Sequence, residues 1–543
     1  MTSTLMGGET EYAVTGIRRG APVSRPELIG DLCRRIAKRH PYLPAIHGKG
    51  VYLANGSRLY EDCMKAEMTT PEVTNPYDLV RYFKASEKIL AQAAEEIERH
   101  DRGDSEVYVC RGNVDLTGSE ATWGSHESFL HRRSPTLLPT ALIPFLVTRT
   151  IFTGSGGWHP FRGLEFTLSP RAAHIDQVAS PDSTNSGKRG GRPILHVKDE
   201  PLARGGYHRL HLILGDSLYS EKALMLRFGA TQLVVSLVDA GIDAPPGIAL
   251  ANPVKALHTV AADTTCRALL QMDDGSTLTA VQLQKRYLEW VDRNLDRLPD
   301  WTPPLARLWG EILDALERDP MTLQDTLDWP FRLALFSGYA TRQGCPLERV
   351  GDSDAVVRRL QEAIYHTAWQ GQQLPLDFML GPNSPVLKLA GGLTAEIAAR
   401  GHSWRNLVDY VERRRQFCEL DVKLGRVGPK GLFSVLENLG LMGGHRVVQS
   451  RDVDDACVNP PGPGTRAHVR GKVIRELASQ ANHAGCEWQQ ISDPARKRIL
   501  DLGDPFERNE VWVESSGGSE EESAEGPASR RLRAVFEALR GSR

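Results

Sequence analysis

Two short segments near the start of the chain concentrate side chains that are suited to holding a metal-bound nucleotide. The first carries Glu9 and Glu11, and the second carries Arg58, Tyr60 and Asp62. If both segments are strands, alternate residues point to the same side, so each segment directs its polar groups toward one face. Carboxylate oxygens beside an arginine suit Mg²⁺ together with phosphate. Two solvated edge strands are the alternative, which the joint occurrence of both segments disfavours.

A third segment, GSHES at 124–128, places Glu127 after a glycine that is suited to a turn. A nucleoside triphosphate often needs more than one Mg²⁺ to neutralise its charge, so Glu127 is a candidate ligand for a second metal ion. The alternative is a turn that carries an exposed polar pair.

Two pairs of basic residues are candidates for binding phosphate. Arg209 and His211 share one face of a predicted strand, and the guanidinium fork matches phosphate oxygens. His211 fits a buried core residue equally well. Arg466 and Arg470 lie about one helical turn apart, so they share one helix face. They are candidates for binding phosphates or an acidic partner, and the alternative is a face exposed only to solvent.

The elements that must position these residues are predicted from hydrophobic periodicity. Apolar residues at helical spacing predict helices over 26–40 and 76–99, and runs of alternating character predict strands at 106–110 and 209–214. From about 222 to 420 the pattern becomes mainly helical. The first part of the chain is therefore strand-rich with long helices between the strands.

At 543 residues the chain is longer than one core usually organises. We expect a catalytic domain over 1–425 and a small C-terminal domain over 426–510, because glycine and proline cluster at 425–430 and 460–464. The acidic segment 511–543 is poor in apolar residues and is predicted to be disordered, with a short terminal helix.

The overall composition excludes several classes of protein. The 66 basic and 68 acidic residues nearly cancel, which disfavours a nucleic-acid-binding or membrane-surface protein. The eight cysteines form no C-x-x-C pair, which is typical of reduced thiols. No signal-peptide pattern and no long apolar stretch is evident, so a cytoplasmic location is expected.

Taken together, these motifs resemble the family of Pup ligases and Pup deamidase/depupylases, glutamine-synthetase-like enzymes that handle the prokaryotic ubiquitin-like protein. The similarity covers about 1–510. It rests on ETEY at 9–12, NGSRLYED at 55–62, NVD at 113–115, GSHES at 124–128, TGSGG at 153–157, KDEP at 198–201, RLHLILGD at 209–216, LDW at 327–329, PPGPGTRAHVRG at 460–471 and DPF at 504–506.

The resemblance implies an α+β fold in which a curved antiparallel sheet is backed by helices and followed by a small C-terminal domain. It also implies roles by position: magnesium ligands at Glu9, Tyr60 and Glu67, a catalytic base at Asp62, and ATP-binding residues at Arg58, Thr70 and Trp488.

The function implied by the resemblance is an ATP- and Mg²⁺-dependent ligase. Such an enzyme joins the C-terminal glutamate side chain of a small Pup-like modifier to a lysine of a target protein, through an acyl phosphate. Hydrolysis of the same bond by a depupylase is the main alternative. The short stretch 15–51, where the depupylase branch typically carries an insertion, favours the ligase, whereas NVD, GSHES and the short spacing from Asp62 to Glu67 resemble the depupylase branch. A non-catalytic ATP-binding adaptor is the third possibility.

Overall fold

The computed structural model describes the greater part of the chain as an α+β protein. The described residues are 4–116, 121–162, 164–184, 191–344, 347, 398, 399, 401, 404–480 and 484–515. The predicted helical segment within 351–396 and the tail beyond 515 lie outside these residues.

The strands vary widely in length, and β1 is the longest of them. In chain order they are β1 (Met6–Arg18), β2 (Ala21–Pro22), β3 (Tyr42–Pro44), β4 (Val51–Leu53), β5 (Arg58–Asp62), β6 (Lys65–Thr69), β7 (Ser105–Arg111), β8 (Ser125–His131), β9 (Gly157–Trp158), β10 (Phe166–Thr167), β11 (Ile175–Ser180), β12 (Arg192–His196), β13 (His208–Leu212), β14 (Leu269–Gln271), β15 (Thr277–Thr279), β16 (Gly485–Glu487), β17 (Gln490–Asp493), β18 (Arg498–Asp501) and β19 (Trp512–Glu514).

Most of the early strands form one antiparallel sheet of nine strands among the described residues. Its order is β13-β8-β1-β6-β5-β4-β3, with β2 and β7 also paired to β1. The two motif segments predicted to cooperate, which lie in β1 and β5, are therefore separated only by β6. The sheet brings together residues that are about fifty positions apart in sequence.

The helices are spread along the described chain. They are α1 (Arg25–Arg39), α2 (Pro76–His100), α3 (Leu138–Thr148), α4 (Thr150–Thr153), α5 (Glu221–Asp239), α6 (Pro253–Ala262), α7 (Ala280–Asp292), α8 (Thr302–Arg318), α9 (Asp328–Arg342), α10 (Trp404–Gly425), α11 (Leu432–Asn438), α12 (Ser450–Val458) and α13 (Arg466–Leu477).

Helix α2 forms where the periodicity predicts it, and it covers one face of the sheet. The side chain of Asn75 accepts a hydrogen bond from the backbone N–H of Asp78 at 2.8 Å, which caps the first turn. Leu79 and Leu90 on its apolar stripe are fully buried, and each such burial stabilises the fold by roughly 1.5–3 kcal/mol. Gly8 of β1 packs directly against this layer, because a Cβ there would collide with the Phe83 ring.

A second, smaller apolar cluster lies at the C-terminal end of the described chain. It joins helix α13 and the four-stranded sheet β16-β17-β18-β19 to Leu43, Tyr52 and Ala54 of the large sheet. Ala456 of α12 belongs instead to the large core. Because Trp512–Glu514 pair with β18, the predicted disorder does not begin at 511, and order extends at least to Glu514.

Within the described ranges we find no helix that combines the length and apolar character needed to cross a bilayer.

Candidate active site

A cavity of about 1030 Å³ lies over the face of the large sheet that points away from α2. Strand alternation decides which side chains reach it. Glu9 and Glu11 of β1 and Glu67 of β6 line the cavity, whereas Tyr12 of β1 and Met68 of β6 are buried in the core. Glu9 and Glu11, which strand spacing assigned to one face, therefore do share one face, and Glu67, which the family resemblance singled out, joins them.

The register of the sheet sets these acidic groups opposite one another. Glu11 pairs with Glu67 across β1 and β6, and Tyr60 pairs with Glu67 across β5 and β6. On the other side of β1, Glu9 pairs with His126 of β8. Directly opposite residues have Cβ atoms only about 5 Å apart, so the carboxylates meet without any long-range rearrangement.

One group of potential metal ligands consists of Glu9, His126 and His211, whose ligand atoms lie within 4.8 Å of one another. The Nδ1 of His126 and the Nε2 of His211 each lie 3.4 Å from Oε1 of Glu9. The hydroxyl of Tyr60 lies 3.4 Å from the second Glu9 oxygen. The predicted metal ligands Glu9 and Tyr60 are thus neighbours, and His211, which was predicted to bind phosphate, lies beside them.

The second group consists of Glu11, Asp62 and Glu67, again with ligand atoms within 4.8 Å. The ammonium group of Lys65 lies 3.0 Å from both oxygens of Glu11. The backbone N–H of Gly124 donates a hydrogen bond to Glu11 at 2.5 Å. Asp62 is exposed at the edge of this group, where an incoming substrate has access to it.

Asp62 is held at the end of a tight hairpin. Cys63 and Met64 connect β5 to β6, and their φ angles are 47° and 62°. Positive φ at both loop residues is the geometry of a type I′ turn, which favours asparagine and glycine. Two bulky residues in this conformation store strain of roughly 1–3 kcal/mol each, which the flanking strand pairing must offset.

The carboxylates are crowded enough to perturb one another strongly. Burial and the charge of Glu9 raise the pKa of Glu67 to about 7. Burial alone would raise the pKa of Glu9 as well, but hydrogen bonding to His126 and the charge of His211 hold it far below its ordinary value. Burial would lower the pKa of His126, yet hydrogen bonds to Glu67 and Glu9 raise it to about 9. Negative charge is concentrated here, and a divalent cation fits this donor set of carboxylates and imidazoles.

Glu127 does not belong to this site, and its predicted role as a metal ligand is wrong. It follows His126 in β8, so alternation turns it to the opposite, core side of the sheet, where it is completely buried. Its oxygens accept hydrogen bonds from Arg149 at 2.6 and 2.8 Å. The Nε of Arg227 lies 3.7 Å away.

We expect Glu127→Gln to destabilise the fold rather than to weaken metal binding. Removing one partner of a buried ion pair leaves Arg149 and Arg227 uncompensated, at a cost of about 3–5 kcal/mol in the free energy of unfolding. Urea denaturation measures this loss, and Glu106→Gln on the exposed edge of β7 is the matched control. If the variant were as stable as the original protein but bound divalent cations less tightly, Glu127 would be a metal ligand after all.

Aromatic rings surround Arg58 at another part of the cavity rim. The guanidinium carbon of Arg58 lies 4.9 Å from the ring centroid of Tyr52 and 4.5 Å from that of Tyr60. Trp488 contacts Tyr52 edge to face at 5.4 Å and lines the cavity. Thr70 also lines it, with its hydroxyl accepting a hydrogen bond from the backbone N–H of Gly8 at 3.0 Å.

The two arginines of α13 are bound to a buried carboxylate that the sequence did not single out. Arg466 Nε lies 2.8 Å from Glu72, and Arg470 forms an ion pair with the same side chain. Arg466 lines the cavity, but Arg470 is fully buried outside its lining and lies 4.7 Å from the Trp488 ring centroid. The predicted phosphate contact of Arg470 is therefore corrected: this residue supports Trp488 and Glu72.

Arg209 lies where the strand pattern places it, on the cavity side of β13. Its Nη2 is 3.7 Å from Oε1 of Glu9 and donates a hydrogen bond to Ser128 at 2.9 Å. The residue that sequence reasoning left out of the metal group is His126. The signal for it was the alternation within GSHES, but only the pairing with β1 shows which of His126 and Glu127 faces the cavity.

Comparison with known proteins adds a family relationship to this geometry. The family model described as Pup-ligase protein matches residues 4–354 and 403–492. A Pup deamidase/depupylase of Mycobacterium tuberculosis strain H37Rv is 39% identical over 464 residues, covering 83% of this chain and 75% of the relative. A Pup–protein ligase of Rhodococcus erythropolis strain PR4 is 30% identical over 531 residues, covering 95% of this chain and 99% of the relative.

Among solved structures, the complex between the prokaryotic ubiquitin-like protein Pup and its ligase PafA is similar to this chain, with a TM-score of 0.69. The match covers 99% of this chain and 92% of the ligase, at 24% sequence identity. This likeness shows a shared fold.

Proposed function

This chain belongs to the Pup-ligase protein family, and on that premise we propose that it joins the C-terminal glutamate of a small Pup-like modifier to lysines of target proteins, with ATP as the energy source. The observation that carries the proposal is the gathering of Glu9, Glu67 and Asp62 in one cavity beside the rings of Tyr60 and Trp488. Such a cavity suits a nucleotide, a cation and a carboxylate substrate at once.

Mg²⁺ is the expected cofactor, and the donor set supports a divalent cation in this cavity. Glu9, Tyr60 and Glu67 would hold it, with His126 and His211 adjacent, and it would supply neutralisation of the phosphate charge. Imidazole suits transition metals better than Mg²⁺, so Mn²⁺ is a suitable probe.

The chemistry follows from the weakness of a carboxylate as an electrophile. A side-chain oxygen of the modifier's terminal glutamate attacks the γ-phosphorus of ATP, and ADP leaves. Arg209 lies beside Glu9, where a guanidinium stabilises the transferring phosphoryl group. Asp62 takes a proton from the incoming lysine ammonium, the amine attacks the acyl phosphate, and inorganic phosphate departs. The product is an isopeptide bond.

The direct experiment mixes the purified protein with ATP, Mg²⁺, a modifier ending in glutamate and a lysine-bearing target. We expect a slower-migrating conjugate and one ADP for each bond formed. A protein that binds ATP but yields neither a conjugate nor a cleaved product would be the adaptor, and the proposal would fall.

Hydrolysis of the same bond is the second candidate. The 39% identity to a depupylase exceeds the 30% identity to a ligase, whereas the ligase alignment covers nearly the full length of both chains. The exposed Asp62 suits activation of water as well as deprotonation of lysine. Release of modifier from a preformed conjugate, without net conjugation in the presence of ATP, would favour the depupylase.

We expect Trp488→Ala to weaken nucleotide binding by about 10- to 100-fold. Stacking of a base on an aromatic ring contributes roughly 1–3 kcal/mol, and Trp488 is the large ring on this side of the cavity. Titration with a fluorescent ADP analogue measures the change, and Trp488→Phe should retain much of the affinity. Unchanged affinity in both variants would place the base elsewhere.

A further inference from the structure

The wall of the cavity formed by β12 carries an arginine without an assigned role. Arg192 lines the cavity and is partly buried. Its Nε atom is buried and has no hydrogen-bond partner among the residues that the structure describes. A buried guanidinium donor that lacks an acceptor loses its hydration without compensation, so native proteins rarely leave one unpaired.

A second arginine lies close to the first. Arg171, in the short 3₁₀ helix Pro170–His174, is only 1% exposed. Its Nη2 donates to the carbonyl of Ile213 at 2.6 Å, but Nε and Nη1 have no partner within the described part of the chain. Burial and the charge of Arg192 lower the pKa of Arg171 to about 10. Arg171 does not line the cavity, so it adds positive charge behind this wall, and Arg192 is the guanidinium that an anion in the cavity can reach.

The carboxylate nearest to both arginines is already engaged. Glu11 attracts Arg171 and Arg192 electrostatically. Its two oxygens, however, contact Lys65 at 3.0 Å, and one of them accepts the N–H of Gly124. Arg192 therefore presents positive charge on this wall for a ligand, with Arg171 adding to that charge from behind.

The position of Arg192 in the cavity indicates that its anion belongs to the modifier and not to the nucleotide. Arg192 interacts electrostatically with Glu11, and a carboxylate oxygen of Glu11 lies within 4.8 Å of one of Asp62. Trp488 and Tyr60 line the cavity together with Arg58, and the nucleotide base is proposed to stack on Trp488. An anion at Arg192 thus lies beside the group that would deprotonate the lysine, which is where the modifier's end must be.

The terminal glutamate of a modifier presents two carboxylates, and only its side chain is activated in the proposed reaction. The two groups are chemically alike and lie a few ångströms apart, so the enzyme must hold one to expose the other. A guanidinium binds a carboxylate through two parallel hydrogen bonds and so fixes its orientation.

We propose that Arg192, supported by the charge of Arg171, binds the α-carboxylate of the modifier's terminal glutamate and thereby selects the side-chain carboxylate for activation. This inference rests on the proposed function for the identity of the ligand. It makes Arg192 a specificity-determining residue that contacts the substrate without taking part in bond making.

The test is a double-mutant cycle on binding, which requires no turnover. Labelled peptides matching the modifier's C-terminus, with either a free α-carboxylate or an α-carboxamide, are titrated into the full-length protein with a non-hydrolysable ATP analogue and Mg²⁺. Fluorescence anisotropy should show that amidation weakens binding to the original protein about 10- to 150-fold, the range for a hydrogen bond to a charged group.

In Arg192→Met the free-carboxylate peptide should bind as weakly as the amide, and amidation should cause no further loss. Arg192→Lys keeps the charge but not the fork, so we expect an intermediate affinity. Arg307→Met, on the exposed face of α8, is the matched control and should behave like the original protein. Affinity for ADP should stay unchanged in all variants.

The proposal would be overturned if amidation and Arg192→Met reduced peptide affinity additively. It would also be overturned if the original protein bound the amidated peptide with full affinity, or if it bound neither peptide. A failure of the proposed function is recognised separately. Suppose the protein forms no conjugate with ATP and target, but the effects of amidation and of Arg192→Met on peptide affinity are non-additive. In that case Arg192 binds the α-carboxylate, and the assignment as a ligase is wrong.

Discussion

Replacing Asp62 with asparagine is expected to lower the rate of conjugation by about 10²- to 10⁴-fold, the contribution typical of a general base. Asparagine has nearly the shape of aspartate but cannot accept the proton of a lysine ammonium. Asp62 is exposed at the cavity edge and belongs to the group with Glu11 and Glu67, so the substitution removes basicity without opening the core. Gel-based conjugation assays measure the rate, and an ADP titration should show unchanged nucleotide affinity.

Glu61→Gln is the matched control for this experiment. Glu61 precedes Asp62 in β5, faces the other way and forms an ion pair with Lys49 at 3.2 Å. It should retain nearly full activity, because a partly exposed ion pair contributes little. Retained turnover in Asp62→Asn would remove Asp62 from the role of base for both the ligase and the depupylase.

Glu9→Gln is expected to have a comparable effect, but through loss of the cation. The Glu9 carboxylate is the common neighbour of His126, His211 and Tyr60, all at 3.4 Å. A neutral amide leaves one side-chain oxygen at this position in place of two and removes the charge that attracts the cation. Metal ions contribute several kcal/mol to reactions of this kind, so activity should fall about 10³-fold.

Titration with Mn²⁺ in the presence of ADP separates this effect from a structural one. Glu9→Gln should lose Mn²⁺ affinity together with activity, whereas Glu106→Gln should lose neither. If Glu9→Gln bound Mn²⁺ as tightly as the original protein, the group of Glu9, His126 and His211 would not be the metal site. A parallel thermal melt identifies a variant that has simply failed to fold.

Local patterns predicted much of the framework of the site. The helices expected over 26–40 and 76–99 are confirmed as α1 and α2, because their apolar residues recur at the helical period and bury a continuous stripe. The strands expected at 106–110 and 209–214 are confirmed as β7 and β13, although β13 ends at Leu212. The shared face of Glu9 and Glu11 needed only the two-residue period of a strand.

The errors at the site have one physical origin. Period-two alternation predicts that His126 and Glu127 point to opposite faces, but it does not say which face is the core. On the core side Glu127 is neutralised by Arg149 and Arg227, which lie in helix-bearing segments outside the GSHES motif and meet it only in the folded chain. Likewise, the partner of Arg466 and Arg470 is Glu72, almost four hundred positions away.

The amino-acid sequence by itself therefore determined helices α1 and α2, strands β7 and β13, the shared face of Glu9 and Glu11, and the family resemblance. Each of these depends on neighbouring residues and on motif spacing. Only the tertiary structure decided that His126 and not Glu127 meets Glu9, that Arg470 supports Trp488, and that Arg192 keeps a buried donor free. These outcomes depend on pairing between distant strands and on which buried charges find partners, and no local spacing encodes either.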